Sequence, residues 1–110
     1  ALVICNDVSN LSNMVMESLC AGRPVITLDD SSTDDVLASG TDSLKASVDG
    51  DIAENLARCM LAFASDAELR ARLTDGAMTT GRMLETWEER MQKEWLEVIR
   101  LVPEWGDLDA

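Results

Sequence analysis

Histidine and tyrosine are absent from this chain, and phenylalanine occurs once. Without histidine, His-based catalytic triads and ordinary Cys/His zinc sites are excluded. Cysteine is sparse and odd in number, with Cys5, Cys20 and Cys59 showing no C-x-x-C spacing. Cys5 falls in an apolar run expected to be a core strand, and the other two fall in expected helices. Reduced, buried thiols are therefore anticipated rather than bridges. Positive charge is scarce as well. Nine Lys and Arg residues against 21 Asp and Glu leave a net charge of −12, which argues against nucleic acid and anionic membrane surfaces as partners. No apolar run approaches the roughly 18 residues of a membrane span. No basic segment followed by an apolar one opens the chain as a secretion signal. Repeats, low-complexity tracts and linkers are also missing. The expectation is a soluble, cytoplasmic protein.

What is present suits one globular domain. The chain has 110 residues, 46% of them hydrophobic, enough for a single core. Its organising stretch runs from Asn10 to Ile26. An apolar run, Leu2 to Cys5, leads into a polar turn, a helix and a second apolar run. That order reads as strand, loop, helix, strand, the unit of a parallel α/β sheet. Such folds place their ligand at the loop before the helix, where strand ends and helix N-termini meet. Free backbone N–H groups and the helix dipole there favour an anion such as a diphosphate. Ser9, Asn10, Ser12 and Asn13 can cap the helix or reach a ligand. Glu17, four residues after Asn13, shares its helix face, and its carboxylate suits a pair of vicinal hydroxyls such as those of a ribose. From spacing alone the plainer alternative is favoured, in which Asn and Ser only cap the helix and Glu17 is solvated.

The stretch resembles the donor-binding motif of retaining GT-B glycosyltransferases of group 1 (family 4). Their pattern runs Glu-Gly-Phe-Gly-Asn, three apolar residues, then Glu-Ala-Met-Ala-Cys-Gly-x-Pro-Val-Ile-Ala-Thr-Asp. Asn13, Glu17, Cys20 or Ala21, Gly22, Pro24, Val25, Ile26 and Asp29 match in order and spacing. The similarity continues through Asp35-Val36, Gly40, Asp49-Gly50-Asp51 and the segment from Ser65 to Leu73, so it covers most of residues 1–80. The resemblance implies a partial GT-B C-terminal domain: a Rossmann-like, three-layer parallel sheet followed by C-terminal helices. It implies a nucleotide-sugar site made by Asn10, Leu11, Ser12, Asn13 and Glu17, with Glu17 on the ribose and the 11–13 backbone on the diphosphate. Two departures stand out. The family's first glutamate, placed near the donor sugar, falls on Ser9, so the resemblance does not extend to catalysis at that position. Ser31-Ser32 replaces the Gly-Gly pair usual after the second strand.

The remaining elements follow from pattern. Leu11, Met14, Val15, Ser18 and Leu19 mark the buried stripe of the first helix, which Gly22 stops and Pro24 forbids to continue. Val25 to Leu28 is a short apolar strand, and 29–32 a loop in which the paired aspartates read as loop and cap rather than metal ligands. A helical turn over 33–37 ends at Gly40, and Ser43 to Val48 reads as a weak edge strand. Capping boxes are expected at Asp51-x-x-Glu54 and Ser65-x-x-Glu68. The helices they open carry stripes of Ile52, Leu56, Cys59, Met60 and Phe63, and of Leu69, Leu73 and Ala77. Arg70 and Arg72 are expected to face water or pair with acids, and Gly76 and Gly81 to weaken the end of their segment. A last helix, with Leu84, Trp87, Met91, Trp95, Val98 and Val102 on one stripe and a Glu89–Lys93 pair, stops at Pro103. An acidic, frayed tail follows. The six methionines are expected in core packing. The domain reading is 1–80 for the partial donor-binding unit and 81–110 for its terminal helix and tail.

Two functions of different class follow. One is the donor-binding portion of a glycosyltransferase using a UDP-, GDP- or ADP-sugar, inactive alone because the N-terminal acceptor domain and the start of the donor domain are expected upstream. No metal or other cofactor is expected. Any phosphate is expected to be bound mainly by backbone dipoles, or by cations outside this chain, because its few basic residues sit mainly in the C-terminal helices. The other is a non-catalytic interaction module with a degenerate site, docking or dimerising through the Trp87/Trp95 helix. A nucleotide-sugar epimerase or phosphorylase of the same architecture is a weaker third.

Overall fold

A computed structural model describes residues 1–5, 13–84 and 86–109. Among them three parallel strands form one sheet in the order β1-β2-β3, with β1 at Leu2–Val3, β2 at Val25–Asp29 and β3 at Ser43–Ser47. The mixed α/β class and the parallel sheet are as expected. Strand β1 is shorter than the 2–5 run, although the Ile4 N–H still donates to the Ile26 carbonyl at 2.9 Å. Four consecutive β2 residues, Val25 to Leu28, are buried, the pattern of a central strand covered on both faces. Helix α1 spans Asn13–Cys20 and returns the chain from β1 to β2. It ends as the glycine implied. Gly22 takes φ 70°, its N–H donates to Leu19, and the Arg23 N–H donates to Ser18, the paired bonds of a Schellman cap.

Only part of each expected stripe is covered. On α1, Val15 and Leu19 are buried with Val25, Leu37 and Ala77 in one cluster, while Met14 is 59% exposed. Helix α2, Ile52–Ser65, leans on β3 and β2. It half-buries Leu56, Cys59 and Phe63 but leaves Ile52 and Met60 in solvent. A three-stranded sheet offers too little surface to cover a whole helical face. For the same reason no methionine is buried, and the expectation of core methionines fails. Nor are the thiols buried as expected: all three are free, Cys5 and Cys20 are exposed, and Cys59 is half-buried.

Helix α3, Ala67–Met83, holds the layers together, with Leu73 and Ala77 fully buried. Its start is one residue later than the Ser65 box. Asp66, in extended conformation, ends α2 and caps α3 by accepting the Leu69 N–H, while Ser65 donates to the Leu61 carbonyl inside α2. The Asp51 box is half-formed, since Asp51 accepts the Glu54 N–H but the Glu54 carboxylate holds Arg58. Arg70 and Arg72 take carbonyls rather than acids. Arg70 donates to Phe63 and Ala64 at the end of α2, where carbonyls lack helical partners, and Arg72 donates to Gly40. Gly76 and Gly81 do not weaken α3, which runs unbroken past both. Each is a point of contact: a Cβ at Gly76 would overlap the Thr41 carbonyl oxygen, and one at Gly81 the Leu19 carbonyl oxygen.

Helix α4, Trp87–Leu101, starts later than the Leu84 stripe suggested. Leu84 instead caps α3 and packs on the main cluster. Thr86 and Glu89 form a complete capping box at the start of α4. None of its side chains is buried, and its chief neighbour is a 3-10 helix, Pro103–Asp109, formed by the segment expected to fray. There the Trp105 N–H donates to Val102, and Gly106 lies against Ile99. The radius of gyration, 17.7 Å, exceeds the roughly 13 Å of a compact chain of this length, as a helix lying away from the sheet requires.

Two outcomes are expected. In an open helix Gly→Ala gains about 1 kcal/mol, but Gly76→Ala should lose about 2 kcal/mol or more because backbone cannot yield like a side chain; denaturant unfolding measures the sign. Burial pushes the Cys59 thiol up, so at mildly alkaline pH a disulfide reagent should titrate Cys5 and Cys20 ahead of Cys59.

Candidate functional site

In a parallel sheet every strand exits at the same edge, and the helix that follows begins there. The N-terminus of α1 therefore stands beside the ends of β1 and β2. Asn10, Leu11 and Ser12, and with them Ser9, lie outside the described residues. Asn13 and Glu17 are described, and both are exposed on α1 one turn apart. They line a single small cleft, about 60 Å³, with Met16 and with Thr86, Trp87 and Arg90 from the start of α4. Among the described residues the Glu17 carboxylate has no ion pair, so it is available to an external hydroxyl or amide.

The α4 side of this cleft was not anticipated. The Thr86-x-x-Glu89 spacing is a readable cap. Thr86 Oγ1 accepts the Glu89 N–H at 3.1 Å, and Glu89 Oε2 accepts the Thr86 N–H at 3.0 Å. That fixed start presents Trp87, 65% exposed, with the Arg90 guanidinium 5.7 Å from its ring centroid. Arg90 also pairs with Glu94 at 3.2 Å. A cation of this chain, carried by the C-terminal helix α4, thus lines the cleft. Trp87, Arg90 and Glu17 together offer an aromatic face, a guanidinium and a carboxylate. The first two suit a flat ring or an anion, the third a hydroxyl pair.

The loop after β2 borders the same edge of the sheet. Asp30 is engaged locally, accepting from the Ser32 N–H at 3.0 Å and from its hydroxyl at 2.5 Å. No group of three or more potential metal ligands occurs among the described residues. Ser31 takes φ 70°, a left-handed conformation that glycine adopts freely and other residues at a cost. Thr33 follows with its hydroxyl buried and without a hydrogen-bond partner, while its carbonyl accepts the Leu37 N–H at 2.8 Å to close the expected helical turn. Asp35 is exposed on that turn.

Comparison with family models and with curated proteins gave no match.

Because Ser31 holds a backbone shape that favours glycine, Ser31→Gly should raise stability by about 0.5–1 kcal/mol. Thermal unfolding reads this, and a loss of stability would mean that the Ser31 side chain contributes more than its strain costs.

Proposed function

We propose that this chain is the donor-binding portion of a glycosyltransferase of GT-B type that transfers a sugar from a nucleotide-sugar. The observation that supports the reading is that Asn13 and Glu17, matched in the family motif, stand exposed one turn apart on α1. They stand beside a cleft of about 60 Å³ shared with Trp87 and Arg90, which has room for part of a donor rather than all of it. Glu17 would accept the ribose hydroxyls, and backbone N–H groups around 11–13 would receive the diphosphate. Arg90 would add the charge a diphosphate needs. The left-handed Ser31 supports the same reading, because it keeps a glycine-like backbone where the family has its Gly-Gly pair. A transferase of this kind accelerates reaction by positioning the donor and stabilising the leaving phosphate. With Ser9 in place of the family's first glutamate, the reading is of donor binding without self-sufficient catalysis. The acceptor domain would be a separate unit.

A second reading has one observation in its favour. Trp87, Met91, Leu96 and Leu101 on α4 are each more than half exposed, as on a helix that docks to a partner or to a second copy. On that reading the small cleft is a degenerate remnant and the chain is an interaction module.

Thermal unfolding with UDP, GDP and ADP, free and as sugar conjugates, separates the two. A ligand at 100 times its dissociation constant should add about 2.7 kcal/mol. A shift with one base, lost in Glu17→Ala, is the expected outcome and names the donor. A folded chain that responds to none of them would leave the interaction module standing.

A further inference from the structure

The basic residues of this acidic chain are almost all engaged. Lys45 holds Asp34, Arg58 holds Glu54, Arg90 holds Glu94 and Arg100 holds Glu97. Arg70 and Arg72 donate to backbone carbonyls, and Lys93 is also engaged. Of the nine in the sequence this leaves Arg23 and Arg82, whose guanidiniums have no hydrogen-bond or ion-pair partner among the described residues. These two line the same open cleft, about 460 Å³, between the end of α1 and the last turns of α3. Although 21 of the 110 residues are acidic, no carboxylate among the described residues lines it.

Arg82 stands in the last turn of α3, where the helix dipole favours a cation, but capping does not explain Arg23. Arginines near a helix end commonly serve its last carbonyls, but at the end of α1 the Glu17, Ser18 and Leu19 carbonyls already accept from Ala21, Arg23 and Gly22 backbone N–H groups. The Arg23 side chain is therefore not needed there. Thr74 adds a hydroxyl to the same cleft, and Met78 supplies its apolar wall beneath Gly22. Glycine matters at that point, since a Cβ on Gly22 would approach Met78 Cγ to 2.9 Å.

We propose that this cleft binds a small phosphate-bearing molecule, a diphosphate or phosphomonoester, through Arg23 and Arg82 with Thr74 as an additional donor. Guanidinium forks on two separate chain segments match a group that presents oxygens in several directions, whereas one fork satisfies a single planar carboxylate. The net charge of −12 repels an extended polyanion or an anionic membrane and leaves a small ligand as the occupant. The volume is that of a small-molecule pocket. The site is distinct from the Glu17 cleft, with which it shares no lining residue among the described residues.

The test uses the whole chain with methyl-labelled methionine, read by NMR as inorganic pyrophosphate is added. Met78 lines this cleft and Met16 the other, so each reports its own site. A saturable shift of the Met78 methyl is expected, weakened at least about tenfold in Arg23→Gln and in Arg82→Gln and unchanged in Arg58→Gln. Both arginines are exposed, and the amide spectrum of each variant verifies the fold. The proposal is overturned if Met78 does not move, if it moves equally in the two variants, or if citrate moves it at lower concentration than pyrophosphate.

Discussion

The close approach of α3 to the turn before β3 is the constraint on which the rest of this structure depends. Gly76 lets the α3 backbone meet Thr41, and the next residue, Asp42, is 2% exposed and satisfied on every side. Its Oδ1 accepts the Ala38 N–H at 2.9 Å and the Ser43 hydroxyl at 3.0 Å, and its Oδ2 accepts the Thr80 hydroxyl at 2.6 Å. Its carbonyl faces the Val25 N–H at 3.4 Å. A buried carboxylate without such partners would be costly, so the turn, the two strands and α3 are held in one arrangement. Five residues further on, Gly81 meets Leu19 in the same manner. The end of α1 is thereby set by α3, and with it the direction in which Asn13 and Glu17 point.

That constraint also explains which parts of the fold were legible. Local signals transferred well. Gly22 with Pro24 placed the end of α1, the run Val25 to Leu28 gave the central strand, and the 3.6 period put Leu73 and Ala77 inside. Signals that depend on the partner surface did not transfer. Periodicity says which face of a helix is apolar but not how much of it a neighbour covers, so Met14, Ile52 and Met60 were placed inside and stand in solvent. Glycine carries the same ambiguity. In sequence Gly76 and Gly81 read as weak helix positions, and only the opposing backbone reveals that a side chain has no room there. Arg70 and Arg72 were expected to face water or pair with acids, yet carbonyls at the end of α2 and at Gly40 take their donors.

The candidate site was half legible for the same reason. Asn13 and Glu17 belong to one helix, so their shared face follows from spacing alone. Thr86, Trp87 and Arg90 reach them from some 70 residues along the chain, and no local rule connects the two segments. The Thr86-x-x-Glu89 box could have been read as a helix start, but a cap states where a helix begins and not what it faces. Net charge is equally silent about local placement. A sum of −12 describes the far field, whereas a site is governed by charges within a few ångströms, and Arg90 lies among its lining residues.

The two walls of that cleft rest on different supports, and this bears on how a ligand would act there. The α1 wall is tied to the sheet through Leu19, Gly81 and the Asp42 network. The α4 wall is fixed at its own start by the Thr86 box, yet the helix buries none of its side chains. A ligand touching both walls would add contacts that α4 otherwise lacks, so its binding and the seating of α4 would be thermodynamically linked. The linkage is reciprocal. Leu96 lies about 180° around α4 from Trp87 and is exposed, so a partner covering it would hold Trp87 and Arg90 in place and raise affinity for a ligand on the other side of α4.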